Sequence, residues 1–356
     1  MMKIHLAIAL ALIAAVASAD QPVEATRKNI KALQGLPESQ LFLAMNFISD
    51  SLGVHCDYCH VKSGDKWLWE SDEKPPKATG LAMIRMVLAI NKEHFAGNRK
   101  LTCYSCHRGS LQVATLAPLP PPEYVKDPPA IVARPLPPPA EVVSRYLAAI
   151  GGNAAAKVQI VMMKAAVERP AGPAKVEIVL KKPEHLLVTV TTAEGVVKQG
   201  LAGDSGWRLA KDAVKPFSPA EIAQVRAVAA IYDVIKVTDD VSRMRNPRFE
   251  RAGNRDAYAV DVAVDADTTR TYFFDLQTGL LIRRRVTTQT IIAPLSEQAD
   301  FDDYRDVGGV KLPFLIRRSD VAPYDTSTST FSEIRTNVAV DDAVFNAPQS
   351  GGASRQ

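Results

Sequence analysis

The chain is predicted to be multidomain, with a small all-α domain first and an antiparallel β-rich domain of α+β character after it. Three observations predict this. Every cysteine of the 356-residue chain lies in one of two C-x-x-C-H motifs, each preceded by apolar residues at helical spacing. A proline-dense stretch over 117–140 interrupts the sequence. Beyond it, apolar residues alternate with the period of two that suits strands with one buried face.

Residues 1–19 read as an export signal. Lys3 supplies a basic start, Leu6 to Val16 an apolar run, and Ala17-Ser18-Ala19 a small-x-small cleavage site before Asp20. The run is shorter than the roughly twenty apolar residues that a membrane span requires. Cleavage there predicts a periplasmic protein. The net charge of +4 is small and unclustered, so no nucleic-acid partner is expected.

Residues 20–116 form the predicted helical domain. Pro37-Glu38-Ser39 reads as a helix start, and Leu41, Met45, Ile48 and Leu52 follow on one face before Gly53. A second helix is expected from about Thr79, with Met83, Met86, Val87, Ile90 and His94 on one side and Gly97 at its end. Between them lie Trp67-Leu68-Trp69 and a polar, proline-bearing loop; the two indoles either cover the edge of a bound group or pack in the core.

Residues 117–140 form a linker, with Pro118, Pro120 to Pro122, Pro128, Pro129, Pro135 and Pro137 to Pro139. Such a run neither builds a helix nor donates to a sheet, so it reads as a semi-rigid spacer. The two domains are therefore expected to fold separately.

The β-rich domain is expected over 141–348, followed by a flexible tail over 349–356. It opens with an amphipathic helix from Glu141 to Ile150, closed by Gly151-Gly152. Strands are expected at Val176–Leu180, Leu187–Thr189 and Tyr258–Val262. Leu276-Gln277-Thr278-Gly279 reads as a hairpin turn between Arg270–Asp275 and Leu280–Thr287, and further strands fall at Val310–Arg317 and Thr328–Ile334. Asp302, Asp303 and Tyr304 read as a solvated turn.

The motifs Cys56-Asp57-Tyr58-Cys59-His60 and Cys103-Tyr104-Ser105-Cys106-His107 carry the chemistry. Two thiols at this spacing can add to the two vinyl groups of one haem, and the histidine that follows can ligate the iron. Four thiolates could instead hold zinc, but zinc does not require a histidine after each pair. Two disulfides are the other alternative, and C-x-x-C suits a redox-active bridge better than a structural one. Two covalent haems c are expected, attached at Cys56, Cys59, Cys103 and Cys106 and ligated by His60 and His107. Their attachment outside the cytoplasm agrees with export.

Each iron needs a sixth ligand. Met45 stands on the helix before the first motif, and Met83 occupies the same kind of place before the second. The alternative for any such methionine is core packing. Met86, one turn on, is the fallback for the second haem. His55 is too close to Cys56 to reach the opposite haem face, and His94 is a weaker candidate than Met83. Thioether ligation raises the potential relative to two histidines, and filled axial positions favour electron transfer over catalysis.

At these residues the chain resembles the cytochrome c subunit of photosynthetic reaction centres. The resemblance runs from about Asn29 to Gly109. Its most specific pieces are Met83-Ile84-Arg85-Met86 through Ile90-Asn91, then Thr102-Cys103 to His107-Arg108-Gly109. It implies an axial methionine on the helix before each motif, at Met45 and at Met83 rather than Met86. Those subunits bind four haems, whereas this chain has motifs for two. The family histidine that serves a fourth haem has no match here, and His94 falls where the family tends to carry an aromatic residue.

The later part resembles, more faintly, outer-membrane lipoprotein-sorting proteins. Tyr272-Phe273-Phe274-Asp275 with Thr278-Gly279-Leu280, and Phe301 to Arg305 leading to Lys311-Leu312-Pro313, carry that likeness. It implies a half-open, barrel-like sheet and a possible apolar ligand in the C-terminal domain; a fold likeness does not itself carry function.

The expected function is one-electron relay between a periplasmic or membrane-bound donor and acceptor, without enzyme activity. The rivals are a dihaem oxidoreductase such as a peroxidase, which needs an open or displaceable ligand, and an apolar-ligand module whose haems report redox state. The sequence shows no phosphate loop, nucleophile–base pair or H-E-x-x-H motif.

Overall fold

The computed structural model describes residues 21–348 apart from 65, 117–134, 212, 219–220, 223–224, 227–228, 230–231, 233 and 322–325. The expected export signal, most of the proline-rich linker and the tail lie outside the described residues.

The N-terminal part contains α1 (Val23–Thr26), α2 (Leu41–Leu52), α3 (Cys56–Cys59), α4 (Pro75–His94) and α5 (Cys103–His107). It also contains a hairpin of β1 (Val61–Ser63) and β2 (Lys66–Leu68), so the expectation of an all-α domain is corrected. Val61 pairs with Leu68 and Lys62 with Trp67, and Gly64 takes a φ of +59° at the turn. A branched and an aromatic residue on a short two-strand ribbon suit a pleated surface better than a helix. The hairpin stacks Trp67 on Trp69, with ring centroids 4.6 Å apart. Helix α4 starts four residues before Thr79, because Pro75 and Pro76 fill first-turn positions where a missing N–H costs nothing.

Asn91 fixes the far end of α4. It is 4 % exposed, donates from Nδ2 to the Leu101 carbonyl at 2.7 Å, and accepts from the Leu101 amide at 3.0 Å. This clamp holds the segment that enters α5.

The C-terminal part is one open antiparallel sheet. Helices α6 (Pro139–Ala149) and α7 (Asn153–Ala156) precede it. A first meander runs through β3 (Ile160–Glu168), β4 (Ala174–Lys181), β5 (His185–Thr192), β6 (Gly195–Ala202), β7 (Ser205–Ala210) and β8 (Ala213–Pro216). A second runs through β9 (Met244–Ala252), β10 (Arg255–Ala263), β11 (Thr268–Asp275), β12 (Leu281–Gln289), β13 (Pro294–Val307), β14 (Val310–Ser319) and β15 (Ser327–Thr336). The first and last strands pair, so the order is β8-β7-β6-β5-β4-β3-β15-β14-β13-β12-β11-β10-β9, with β8 and β9 left as edges. The expected hairpin forms at 276–279, where Gly279 has a φ of +75° and the Asp275 carboxylate accepts from the Gln277 and Thr278 amides.

Asp302 and Asp303 do not form the expected turn. They lie inside β13, where Asp302 pairs with Leu315 and Tyr304 with Pro313 in unbroken register, and Asp303 between them takes a φ of +50°. The turn comes later, at Gly308-Gly309.

One core fills the inner face of this sheet. Leu201 of β6 and Val260 of β10 share it with Val143, Tyr146 and Ile150, and with Val234, Ile235 and Val237 of a 3₁₀ segment, Val234–Arg243. Strands far apart in the order share one core with α6, so the sheet curls around it. The buried Tyr146 hydroxyl donates to the Val234 carbonyl at 3.0 Å. Gly151 ends this element against the β13–β14 turn, where a Cβ would stand 2.1 Å from the Gly309 carbonyl oxygen. The cavity beside this segment, between Met163, Tyr232 and Ile316, has a volume of about 10 Å³, room for one water and not for a lipid tail.

The helical part does not keep its core to itself. Val23, Leu33, Leu36, Ala44, Phe47 and Ile84 pack in one buried cluster with Ile292, Ala293 and Leu295 at the β12–β13 connection.

Candidate functional site

Helix α2 presents two stripes. Ala44, Phe47 and Ser51 are buried against the protein. Leu41, Met45, Ile48 and Leu52, the stripe expected to be apolar, are half-buried and line a cavity of about 1100 Å³. An apolar stripe turned toward open volume marks a site shaped for a large apolar group.

The first motif closes the other side. Cys56 and Cys59 span the single turn of α3, so their side chains share a face, and His60 follows in extended conformation. Cys56, Cys59 and His60 line the same cavity as Met45. The His60 Nδ1 lies 3.2 Å from the Trp69 carbonyl, which holds the ring with Nδ1 protonated and frees Nε2 as a ligand. Burial, and then the charges of Lys77 and Lys74, push the His60 pKa below its usual value and favour the neutral ring that binds a metal. Trp69 stands edge-on to His60 at 5.1 Å and to Phe42 at 6.2 Å, and lines the cavity. Of the two uses expected for the indoles, Trp69 takes the cavity wall.

The second motif repeats the local chemistry in a different setting. Thr102 and Ser105 form a reciprocal cap at the start of α5, and the His107 Nδ1 lies 3.0 Å from the Ser110 carbonyl. Both motif histidines therefore have Nδ1 engaged by a backbone carbonyl. The segment after α5 crosses the end of α2 closely: the Gly109 amide donates to the Ser51 carbonyl at 2.9 Å, and a Cβ on Gly53 would meet the Gly109 oxygen at 2.2 Å. Cys103 is half-buried and Cys106 is exposed. Helix α4 buries Ile84 and Asn91, while Met83 is 39 % and Met86 44 % exposed. Neither methionine is turned into the core, so the geometry does not by itself choose between them. His94 is exposed at the end of α4. Tyr104, Leu111 and Val113 are also exposed.

All four cysteines are free of disulfides. Among the described residues no three His, Cys, Asp or Glu side chains converge, so the two C-x-x-C pairs do not assemble a four-thiolate zinc site. Burial raises the pKa of the Cys59 and Cys103 thiols. At the first motif the donor set, the apolar helix stripe, the oriented histidine and the volume all fit a haem.

Sequence reasoning missed the far wall of the first cavity. Val286 and Thr288 of β12, Leu295 and Glu297 of β13, and Arg318 of β14 line it. They lie more than 200 positions from Cys59 in the chain, and no motif marks them.

Residues 6–116 match the family described as the photosynthetic reaction centre cytochrome C subunit. That match covers the N-terminal part alone and suggests a c-type cytochrome in electron transfer. The C-terminal part is similar to solved structures of another kind. A LolA superfamily protein from Nitrosomonas europaea is 12% identical, with 59% of this chain and 98% of that chain covered and a TM-score of 0.41. A DUF1329 family protein from Desulfovibrio piger is also 12% identical, covering 59% and 97% at a TM-score of 0.41. A putative outer membrane lipoprotein-sorting protein domain from Vibrio parahaemolyticus is 10% identical, covering 58% and 95% at a TM-score of 0.38.

Proposed function

We propose that the chain is an exported, periplasmic dihaem cytochrome that relays single electrons between a donor and an acceptor. The observation that carries this reading is the meeting of Met45, Cys56, Cys59 and His60 around one cavity. In this reading Cys56 and Cys59 hold one haem c and Cys103 and Cys106 the other. His60 and His107, with Met45 and Met83, would supply the ligands of the two irons. Bound there, haem supplies a reversible ferric–ferrous couple.

The chain's own residues set the conditions for that couple. The Trp69 and Ser110 carbonyls hold the two histidine rings in one tautomer and orientation. Leu41, Ile48 and Leu52 keep water from the first site and lower its local dielectric. The β-rich part enters as a wall of that site rather than as a separate carrier.

A second reading, a dihaem oxidoreductase, draws on the exposure of Met83, because an exposed ligand is the easier one to displace. Mass spectrometry of the mature protein tests the main reading. It should start at Asp20 and carry two haem additions, with a pyridine haemochrome spectrum of the thioether type. A mass with zinc, or with two disulfides and no haem, would overturn it.

A further inference from the structure

The wall that the sheet gives to the first cavity carries Arg318, with Arg284 next to it in the same cross-strand row. Cross-strand pairing puts Tyr272, Arg284, Ala299 and Arg318 in one row over β11, β12, β13 and β14. Directly opposed residues share a face, and Tyr272 and Ala299 belong to the inner core, so both arginines project from the inner face. Val286, Thr288, Leu295 and Glu297 continue that face into the cavity, and Arg318 lines it.

Neither arginine makes a direct ion pair among the described residues, although Glu297 and Asp240 lie near enough to favour the charge of Arg284. Arg284 is 5 % exposed, and its buried Nε has no hydrogen-bond partner among the described residues. Its neighbour Arg270 is committed to Asp240 at 3.0 Å. Among the described residues no ion pair joins Arg318 to Glu297 or Asp320, the acids on the same wall. The cavity's other cations are engaged or at its rim: Arg27 pairs with Glu38, Lys31 and Lys77 pair with Asp72, and Lys28 is exposed. A buried guanidinium without a direct ion pair is costly, since burial holds Arg284 below its usual pKa despite Glu297 and Asp240, and an anion beside it would offset the cost.

We propose that Arg318, with Arg284 behind it across Ala299, receives the propionate carboxylates of the haem held at Cys56 and Cys59, so that the β-rich part is a haem-binding element of the first site. This rests on the haem reading above and extends it to residues outside the cytochrome-like part. A haem brings two carboxylates and an apolar ring. The cavity offers an apolar helix stripe on one wall and Arg318, with Arg284 behind it, on the other.

The test uses the full-length protein and the variants Arg318→Gln, Arg318→Lys and Arg284→Met. Haem per chain and both midpoint potentials are measured for each. Arg318→Gln should keep two haems and shift one reduction equilibrium roughly tenfold toward the oxidised form, the order expected for loss of one nearby unit charge in a partly desolvated site. Arg318→Lys should restore part of that shift. In a Cys56→Ser, Cys59→Ser background, Arg318→Gln should leave the remaining potential where it was. Should Arg284→Met fail to fold, Arg318→Gln decides alone, since Arg318 is only half-buried.

Unmoved potentials in Arg318→Gln overturn the proposal, as does a shift that persists without the first haem. Native mass spectra that show a free organic acid bound to the wild type and lost in Arg318→Gln, with both potentials unmoved, assign the cations to a different carboxylate. A wild-type chain without haem overturns the reading beneath the proposal instead.

Discussion

The two C-x-x-C-H motifs share their local chemistry and differ in their surroundings. At the first, Met45 and the motif residues line a cavity of about 1100 Å³ whose far wall is the β-sheet. At the second, Cys106 is exposed and Met83 is 39 % exposed. The lesson is that one sequence motif can specify attachment and tautomer without specifying solvent access. Burial disfavours the added charge of the oxidised iron, so the enclosed site is expected to have the higher potential and the open site to exchange electrons with partners. The shared core at Ile292, Ala293 and Leu295 makes the first environment a product of both parts of the chain.

The largest effect should come from emptying one site at a time. Cys56→Ser with Cys59→Ser leaves an apolar cavity unfilled, whereas Cys103→Ser with Cys106→Ser uncovers a surface already partly wet. The first pair should lower the melting temperature by about 10 °C, equivalent to a loss of roughly 4 kcal/mol, and the second by less than half of that. Calorimetry of the two one-haem proteins checks this, and equal losses would break the contrast.

Acid should separate the sites next. Asp240 is 4 % exposed. Burial raises its pKa, but the Tyr272 hydroxyl at 2.6 Å and the charges of Arg270 and Arg243 outweigh that and leave it below the usual carboxylate value. Its folded pKa is depressed, so its contribution is present above the unfolded value near 4 and is lost as pH falls through the folded value. Arg270, its partner, pairs across the sheet with Val286 on the cavity wall. Asp240→Asn should cost about 3 kcal/mol at neutral pH and flatten the stability profile below about pH 4. The first potential should respond in the same acid range, and an equal response at the second would count against the coupling.

How much of this was legible from the sequence follows from the range of each interaction. The motifs, the α2 stripe and the turn at Gly279 depend on residues within a few positions of one another, and spacing alone placed them. The hairpin at Val61–Leu68 was missed because two three-residue strands are too short to show a period. Asp302-Asp303 looked like a turn by composition, but β13 runs through both in unbroken register with β14. The wall at Val286, Leu295 and Arg318 is set by pairing across the whole sheet and has no local signature. The proline-rich spacer marks a change of composition, yet the buried cluster spans the parts on either side of it.

Leu295 is the direct probe of that shared wall. It is 3 % exposed, packs with the helical part and lines the first cavity. Leu295→Ala should cost about 2–3 kcal/mol and lower the first potential by admitting water. A denaturant melt together with a redox titration checks both. On the dihaem reading, haem content should stay at two, because all four cysteines lie in the helical part.

The methionines give the smallest change in stability and the sharpest chemical contrast. Met45 lines the enclosed site and is half-buried, so Met45→Ala should cost about 2 kcal/mol through lost packing. Met83 is largely solvated, and Met83→Ala should stay within about 0.5 kcal/mol. Each should still lower one midpoint potential and remove part of the near-infrared band of sulfur-to-iron charge transfer, because thioether ligation favours the reduced iron. Met86 is similarly exposed one turn further along α4. If Met86→Ala alters the spectrum and Met83→Ala does not, the second ligand is Met86. Carbon monoxide then tests access. With both methionines in place the reduced protein should bind little of it; binding by the wild type at the second site, with peroxide turnover above that of free haem, would favour the oxidoreductase reading. In Met83→Ala the gas should bind readily from solvent, whereas in Met45→Ala it must enter a site walled by Trp69, Leu295 and the β-sheet, so binding should be slower. Equal rates in the two variants would mean that enclosure of the first site does not govern access to its iron.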